Sequence, residues 1–350
     1  MNVLMLGPDR SVHGGISAVV NGYYEAGLDE KINLKYIGTM KEGSKAYKLA
    51  VAAKAYMEFS KELPNADVIH VNVASDNSFR RKSIFVHKAH KANKKIIIHQ
   101  HGGDFKNFFA NENDDAGRDA ILNTICMAEK LIVLSDGWKE YFESILKEKT
   151  EKPQIVVLNN SIRIPSDTEA SGRAYGSHNL LFLGRICRDK GIEELLNSFE
   201  RLSNEFTDMH LYLGGIYEDE GFKKKIEAHR EQITFLGWID GDKKTEYLKK
   251  CDILVLPSYY EGFPVCVVEG MAYGCSVVAT RVGAIPEIIE DGIDGILIQP
   301  RDEGSLTEGL RELLGDDLFM ERIGNAARAK VTKKYNINNT IDRLIEIYEN

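Results

Sequence analysis

No stretch of the 350-residue chain approaches the roughly 18 unbroken apolar residues that a membrane-crossing helix needs, so the chain is expected not to span a bilayer. The first apolar run, Val3 to Gly7, is too brief and too uncharged at its front for a signal peptide. Cysteine is scarce. Cys126, Cys187, Cys251, Cys266 and Cys275 are odd in number, scattered and never spaced as CxxC. That pattern argues against a disulfide framework or a zinc knuckle and fits a reducing cytoplasm. A surplus of positive charge is also missing: 45 Lys plus Arg stand against 53 Asp plus Glu, a net of −8, so no global field recruits nucleic acid. The glycine pattern GxGxxG, with an acid about twenty residues on, is absent too, which leaves a dinucleotide dehydrogenase unsupported.

What is present is enough apolar sequence, 43% against 28% charged, to bury real cores, in a length that suits two domains of ordinary size. Short β-branched runs alternate with helical periodicity in two series. The first comprises Val3 to Leu6, Asp67 to Val73, Lys95 to His99, Lys130 to Leu134 and Gln154 to Leu158. The second comprises Asn179 to Leu183, His210 to Leu213, Ile233 to Phe235, Asp252 to Leu256, Ser276 to Ala279 and Gly295 to Ile298. Parallel neighbours need crossover helices, so the order predicts an α/β protein of two Rossmann-like, doubly wound parallel-sheet domains.

The expected division is a first domain over 1–163, a polar, turn-rich linker over 164–177 and a second domain over 178–335. An amphipathic helix over 336–350 is expected to pack back toward the first domain. To Arg163 there are 23 basic and 20 acidic residues, against 22 and 33 beyond it, which makes the first domain the relatively basic one.

In doubly wound sheets ligands sit beyond the carboxyl ends of the strands, where helix N-termini offer free N–H groups. Gly14-Gly15 after the first strand reads as a phosphate-approaching turn or as a flexible one. His101 ends the strand Lys95 to His99 on a loop, where catalytic and scaffold readings are level. The second domain opens with a strand, then Gly184-Arg185 and Lys190-Gly191. Cations flanking that turn suit a pyrophosphate, Arg185 as a planar fork and Lys190 as a movable point charge. The segment Leu254 to Thr280 is richest: a loop through Glu261-Gly262-Phe263 leads into a helix that begins near Pro264 and carries Glu269. The two carboxylates, eight positions apart, can reach different parts of one extended ligand, with N–H groups around Phe263, Val265 and Cys266 between them.

Taken in order, these residues resemble the retaining glycosyltransferases of family 4. The residues that match its motifs are Gly184-Arg185, Lys190-Gly191, Glu261 to Pro264 with Glu269 as an E-x7-E motif, Gly283 to Ile288, and Asp291 to Gly295. The first domain is similar more loosely, through Gly14-Gly15, His101-Gly102, Ser135 and Asn159-Asn160-Ser161. The resemblance implies the GT-B fold, two Rossmann-like domains facing a cleft. It implies that Arg185 and Lys190 hold a donor pyrophosphate, Glu269 the ribose, Glu261 a hydroxyl of the transferred sugar, and backbone from Gly262 to Val265 the phosphates. His101 would lie near the donor sugar and Gly15 near a phosphate. Gly237 and Trp238 would border the base, with a core role for Trp238 equally open.

The implied activity is retaining, metal-independent hexosyl transfer, with no cofactor beyond the nucleotide sugar. The donor would be a UDP-sugar and the acceptor a glycan or lipid-linked saccharide in bacterial surface polysaccharide assembly. A noncatalytic nucleotide-sugar-binding subunit and a GT-B epimerase are the competing readings. The stretch Arg80 to Lys95 has seven Lys or Arg and no acid, with Phe79, Ile84, Phe85 and Ala89 at helical spacing. It reads as a solvated crossover helix or as a peripheral contact of a cytoplasmic protein with anionic lipid.

Overall fold

A computed structural model of the chain describes every residue except Asn113, Ser171 and Gly172. The chain forms two compact units, Met1–Arg163 with Ile337–Asn350, and Ile164–Asn336.

The first unit is built on six parallel strands: β1 (Asn2–Gly7), β2 (Asn33–Gly38), β3 (Val68–Val73), β4 (Lys95–Gln100), β5 (Lys130–Val133) and β6 (Gln154–Val157), in the order β2-β1-β3-β4-β5-β6. β3 is buried throughout, and β1 and β4 nearly so, because crossover helices cover both faces of a parallel sheet and leave no polar side. Among the helices are α1 (Gly15–Glu25), α2 (Lys45–Glu62) and α3 (Asp76–Lys91). β2 (NLKYIG) was not among the expected strands. It is an edge strand, exposed and half-buried in alternation from Asn33 to Tyr36 with only Ile37 buried, so it lacks the continuous apolar run of its neighbours.

The second unit also has six parallel strands: β7 (Asn179–Leu183), β8 (His210–Gly214), β9 (Ile233–Gly237), β10 (Ile253–Leu256), β11 (Ser276–Thr280) and β12 (Ile296–Ile298), in the order β12-β11-β10-β7-β8-β9. Its helices include α4 (Ile192–Leu202), α5 (Gly241–Lys250) and α6 (Val265–Ala272). Residues 164–177, expected as a linker, belong to this unit, although Ser171 and Gly172 lie outside the described residues. The reason is Arg173. Its guanidinium is buried and donates to the carbonyls of Cys251 (2.6 Å) and Tyr273 (3.0 Å), so the polar stretch satisfies backbone acceptors at the end of α5 and beyond α6.

The final helix, α7 (Ile337–Glu349), packs into the first unit through Ile341, Leu344, Ile347 and Tyr348. Lys130 Nζ donates to the Ile347 carbonyl (2.8 Å), Ser161 Oγ to Thr340 Oγ1 (2.6 Å), and Tyr348 OH lies 2.6 Å from His70 Nδ1. His70 is wholly buried on β3, and burial pushes its pKa from 6.5 down to about 3. Below pH 6.5 the unfolded chain therefore binds a proton that the folded ring refuses. Stability present above that pH is withdrawn by about 1.4 kcal/mol per pH unit as pH falls toward the folded value. Urea unfolding should show this loss between about pH 6.5 and 4; His99 and His101, whose pKa values burial also lowers, add to it, so His70→Asn should make the slope shallower without abolishing it. An unchanged slope in the variant would assign the titration elsewhere.

Candidate functional site

At the carboxyl end of β7, Gly184-Arg185 leads into a 3-10 turn, Arg188–Lys190, that ends at Gly191. Gly191 has φ +69°, and a Cβ there would lie 2.1 Å from the Pro257 carbonyl oxygen, so only glycine lets this turn press against the loop leaving β10. Tyr259 N–H then donates to the Asp189 carbonyl (2.8 Å), which fastens the two loops. The result is a contact between residues 71 positions apart: Lys190 Nζ lies 2.5 Å from Glu261 Oε1, with side chains 18% and 11% exposed. From the other side, the loop after β11 holds Glu261 by its backbone. Gly283, at φ +54°, sits where a Cβ would fall 1.8 Å from the Glu261 carbonyl oxygen, and Ala284 N–H donates to the Gly262 carbonyl (3.0 Å).

α6 starts at Val265 behind Pro264, with no side-chain cap. Its second residue, Cys266, carries a thiol whose pKa burial pushes up to about 12. Glu261 and Glu269 add to that shift, while Lys190 and Lys244 oppose it. One half-buried thiol thus feels two ion pairs at once. The second pair is Lys244 Nζ of α5 with Glu269 Oε1 of α6, at 2.6 Å and about a quarter exposed on the lysine side. Burial works against the Lys244 ammonium, but attraction and hydrogen bonding from Glu269 outweigh it, and its pKa is raised.

Lys190, Glu261, Gly262, Val265 and Glu269 are therefore gathered at one place, with the start of a helix between two carboxylates. Arg185 lies at the same strand end, paired with Glu218. Both side chains are about half exposed, so the pair is weak and the guanidinium can swing. Phe263 is buried against Tyr335 with ring centroids 5.5 Å apart, which gives its side chain to the core. Pro264 is buried as well. Trp238, by contrast, is 36% exposed, and its Nε1 donates to Asp240 Oδ2 (3.3 Å), so it is not a core aromatic. It follows Gly237, at φ +67°, at the end of β9.

Residues 177–316 of this unit match the sequence profile of a family described as glycosyl transferases group 1. The second unit holds a glycosyl transferases group 1 domain. An uncharacterized glycosyltransferase of Methanocaldococcus jannaschii is 32% identical over 179 residues, which is 49% of this chain and 44% of that protein. The chain thus spans less than half of that relative's length. Two solved structures match nearly end to end at 17% identity. Sucrose-phosphate synthase from Thermosynechococcus elongatus has a TM-score of 0.78, covering 99% of this chain and 98% of that one. HepE of Anabaena, in complex with UDP, has a TM-score of 0.76 and covers 100% of both. At that identity the likeness carries the fold, which is GT-B.

Two partners in the glycosyltransferase domain escaped sequence reasoning. Lys244 stands among several lysines in GDKKTEYLKK, and nothing in its spacing marks it. Glu218 sits in the loop after β8, where the strand-end rule that singled out Arg185 could have found it. The domain also has one Asp-x-Asp triplet, Asp240-Gly241-Asp242, after β9. Asp240 serves Trp238 and precedes the first turn of α5. Among the described residues no group of three or more His, Cys, Asp or Glu is arranged to hold a metal ion.

In the first unit Gly14 has extended backbone that any residue adopts, and a Cβ at Gly14 or Gly15 would meet only open space. The fold itself therefore does not demand glycine at either position, which leaves room at the start of α1 for an approaching group. His101 is organised by a relay. Asn72 Nδ2 donates to the Leu6 carbonyl (3.0 Å), which leaves Asn72 Oδ1 to accept from His101 Nε2–H (2.9 Å). His101 Nδ1 is then the bare acceptor, buried and without a partner. Burial holds the ring neutral, with its pKa down at about 3.

α3 contains most of the basic stretch Arg80 to Lys95. Its apolar members Phe79, Phe85 and Ala89 are buried, and so is Lys82, whose pKa burial lowers to about 7. Arg80 pairs with Glu112, Lys88 reaches Ser60, Lys94 donates to two carbonyls, and Lys95 pairs with Glu129. Most of the charge is thus tied inside the unit, as in a crossover helix.

No helix among the described residues is long and apolar enough to cross a membrane.

Proposed function

We propose that the chain is a retaining glycosyltransferase that moves a sugar from a UDP-sugar to a glycan or lipid-linked saccharide acceptor, in the assembly of a bacterial surface polysaccharide. The observation that carries this reading is the pair of ion pairs, Lys190–Glu261 and Lys244–Glu269, set on either side of the first turn of α6. UDP is favoured as the carrier because the similar HepE structure holds it.

In this reading Lys190, Arg185 and the first N–H groups of α6 take the donor diphosphate. Glu269, steadied by Lys244, accepts from the ribose hydroxyls. Glu261, released as Lys190 turns to phosphate, accepts from a hydroxyl of the transferred sugar. Trp238 and Gly237 border the base, and Gly14-Gly15 lie by a phosphate. His101 lies near the sugar as a neutral ring.

The reaction is a front-face displacement. The bond from the anomeric carbon to the diphosphate oxygen breaks with its electron pair leaving on UDP. The acceptor oxygen bonds to that carbon from the same side, and its proton passes to the departing phosphate. Cations preorganised around the phosphates stabilise the leaving charge, worth several kcal/mol in a water-poor site. The proposal includes activity without an added metal, so turnover that survives EDTA is expected.

Screening nucleotide sugars for thermal stabilisation should find UDP-sugars, since a ligand bound only by the folded state raises its apparent stability. Acceptor-dependent release of UDP supports transfer. Binding without turnover supports a noncatalytic subunit, and interconversion of the donor sugar without an acceptor supports an epimerase. Lys244→Met should weaken UDP binding by roughly tenfold, because Glu269 loses the ammonium that orients it. Isothermal titration reads this directly, and unchanged affinity would remove Glu269 from the ribose role.

A further inference from the structure

Eleven large hydrophobic side chains are exposed among the described residues, and five of them lie on two neighbouring helices of the first unit. These are Tyr47, Leu49, Tyr56 and Met57 on α2, and Ile84 on α3. Leu49 and Met57 are 72% and 66% exposed. α2 turns Ala55 and Phe59 into the core. At about 100° per residue, Leu49, Ala53 and Met57 fall away from that buried face, together with Ala46 and Ala50. The helix therefore has two apolar faces, and only one is packed. A surface helix of a globular protein ordinarily carries its charges on the outward side.

The charges at the margin are of one sign. Lys54 and Lys61 border the stripe and Lys45 stands at its start, all on α2. The acids of this helix are occupied: Glu58 and Glu62 pair with Lys35 of β2. Glu42, just before the helix, pairs with Lys48. The surface continues onto α3, because Lys88 of α3 reaches Ser60 of α2 and lies 4.3 Å above the Tyr56 ring. Ile84, 49% exposed, and the exposed Lys91 extend it. Apolar side chains interleaved with lysines, and no unpaired carboxylate on α2, complement an anionic phospholipid surface.

We propose that the outward face of α2, continued by Ile84 and Lys91 of α3, docks the protein on anionic phospholipid. The inference deepens the proposed function and rests on it for its purpose, since a lipid-linked acceptor is reached from such a surface. It shifts the centre of the contact from the basic stretch of α3, of which only Ile84 and Lys91 stay in it, to a helix that the sequence pattern did not single out.

The test is co-sedimentation of the full chain with vesicles of phosphatidylcholine plus phosphatidylglycerol, against phosphatidylcholine alone. Binding to the anionic vesicles that weakens with added salt is expected. The double variant Leu49→Glu, Met57→Glu should lower vesicle affinity at least roughly tenfold while leaving circular dichroism and UDP-induced thermal stabilisation unchanged. Equal binding by the double variant, or binding indifferent to lipid charge, would overturn the proposal. So would a wild-type dimer that the double variant dissolves while neither protein binds vesicles, because a second copy would then cover the face. UDP stabilisation without vesicle binding sinks the docking alone, whereas vesicle binding without any nucleotide response sinks the proposed function and leaves the docking standing.

Discussion

Lys190→Ala is expected to lower kcat by roughly two to three orders of magnitude, the loss that follows removal of one preorganised donor from a developing anion. Two effects combine. The diphosphate loses the cation that stabilises its departure. In addition, Glu261, at 11% exposure, is left without the ammonium 2.5 Å away, and an uncompensated carboxylate in such a place is costly. Steady-state kinetics at saturating donor measure the first effect. A cycle with Glu261→Gln separates the second, because a purely structural role for the pair would make the double variant more active than Lys190→Ala. A Lys190→Ala enzyme turning over within a few-fold of wild type would end the diphosphate assignment. Arg185→Ala should lose less through folding, since its partner Glu218 is half exposed, yet it should still lose turnover.

Gly283→Ala should cost about 3 kcal/mol or more of stability and nearly all activity, although the residue offers no functional group. At φ +54° an L side chain is strained by about 1–2 kcal/mol to begin with. The added methyl would then stand 1.8 Å from the Glu261 carbonyl oxygen, and backbone cannot yield as a flexible side chain does. The loop bearing Glu261 must move, so Glu261 leaves Lys190. Urea unfolding gives the first number and donor-dependent turnover the second. A variant as stable and active as wild type would mean that the loop is not held as tightly as this contact implies. Gly191→Ala, at φ +69° and 2.1 Å from the Pro257 carbonyl oxygen, is the parallel case on the opposite side of the loop.

Much of the fold was legible because buried parallel strands are continuous apolar runs. Of the twelve strands among the described residues, β2 alone escaped, and it is an edge strand whose exposure alternates over Asn33 to Tyr36. Arg173 shows a different limit. A polar, turn-rich stretch reads as a linker unless one knows that three-dimensional neighbours present it with unsatisfied carbonyls. In the site, the residues that share a loop or a helix, Glu261 to Glu269, could be found by spacing. Lys244 could not, because its meaning comes from the packing of α5 beside α6, a relation that lies outside either segment.

The amino-acid order by itself determined the alternation of strand and helix, the glycine turns at strand ends, and the stock of cations and carboxylates after β7 and β10. These are local properties, written in periodicity and in the few residues a backbone conformation tolerates. Only the tertiary structure decided which charges meet, that Trp238 is exposed, and that the outward face of α2 rather than the basic stretch of α3 is left uncovered. Those outcomes depend on distances between segments remote along the chain, and such distances exist only once the sheets are assembled and the helices packed.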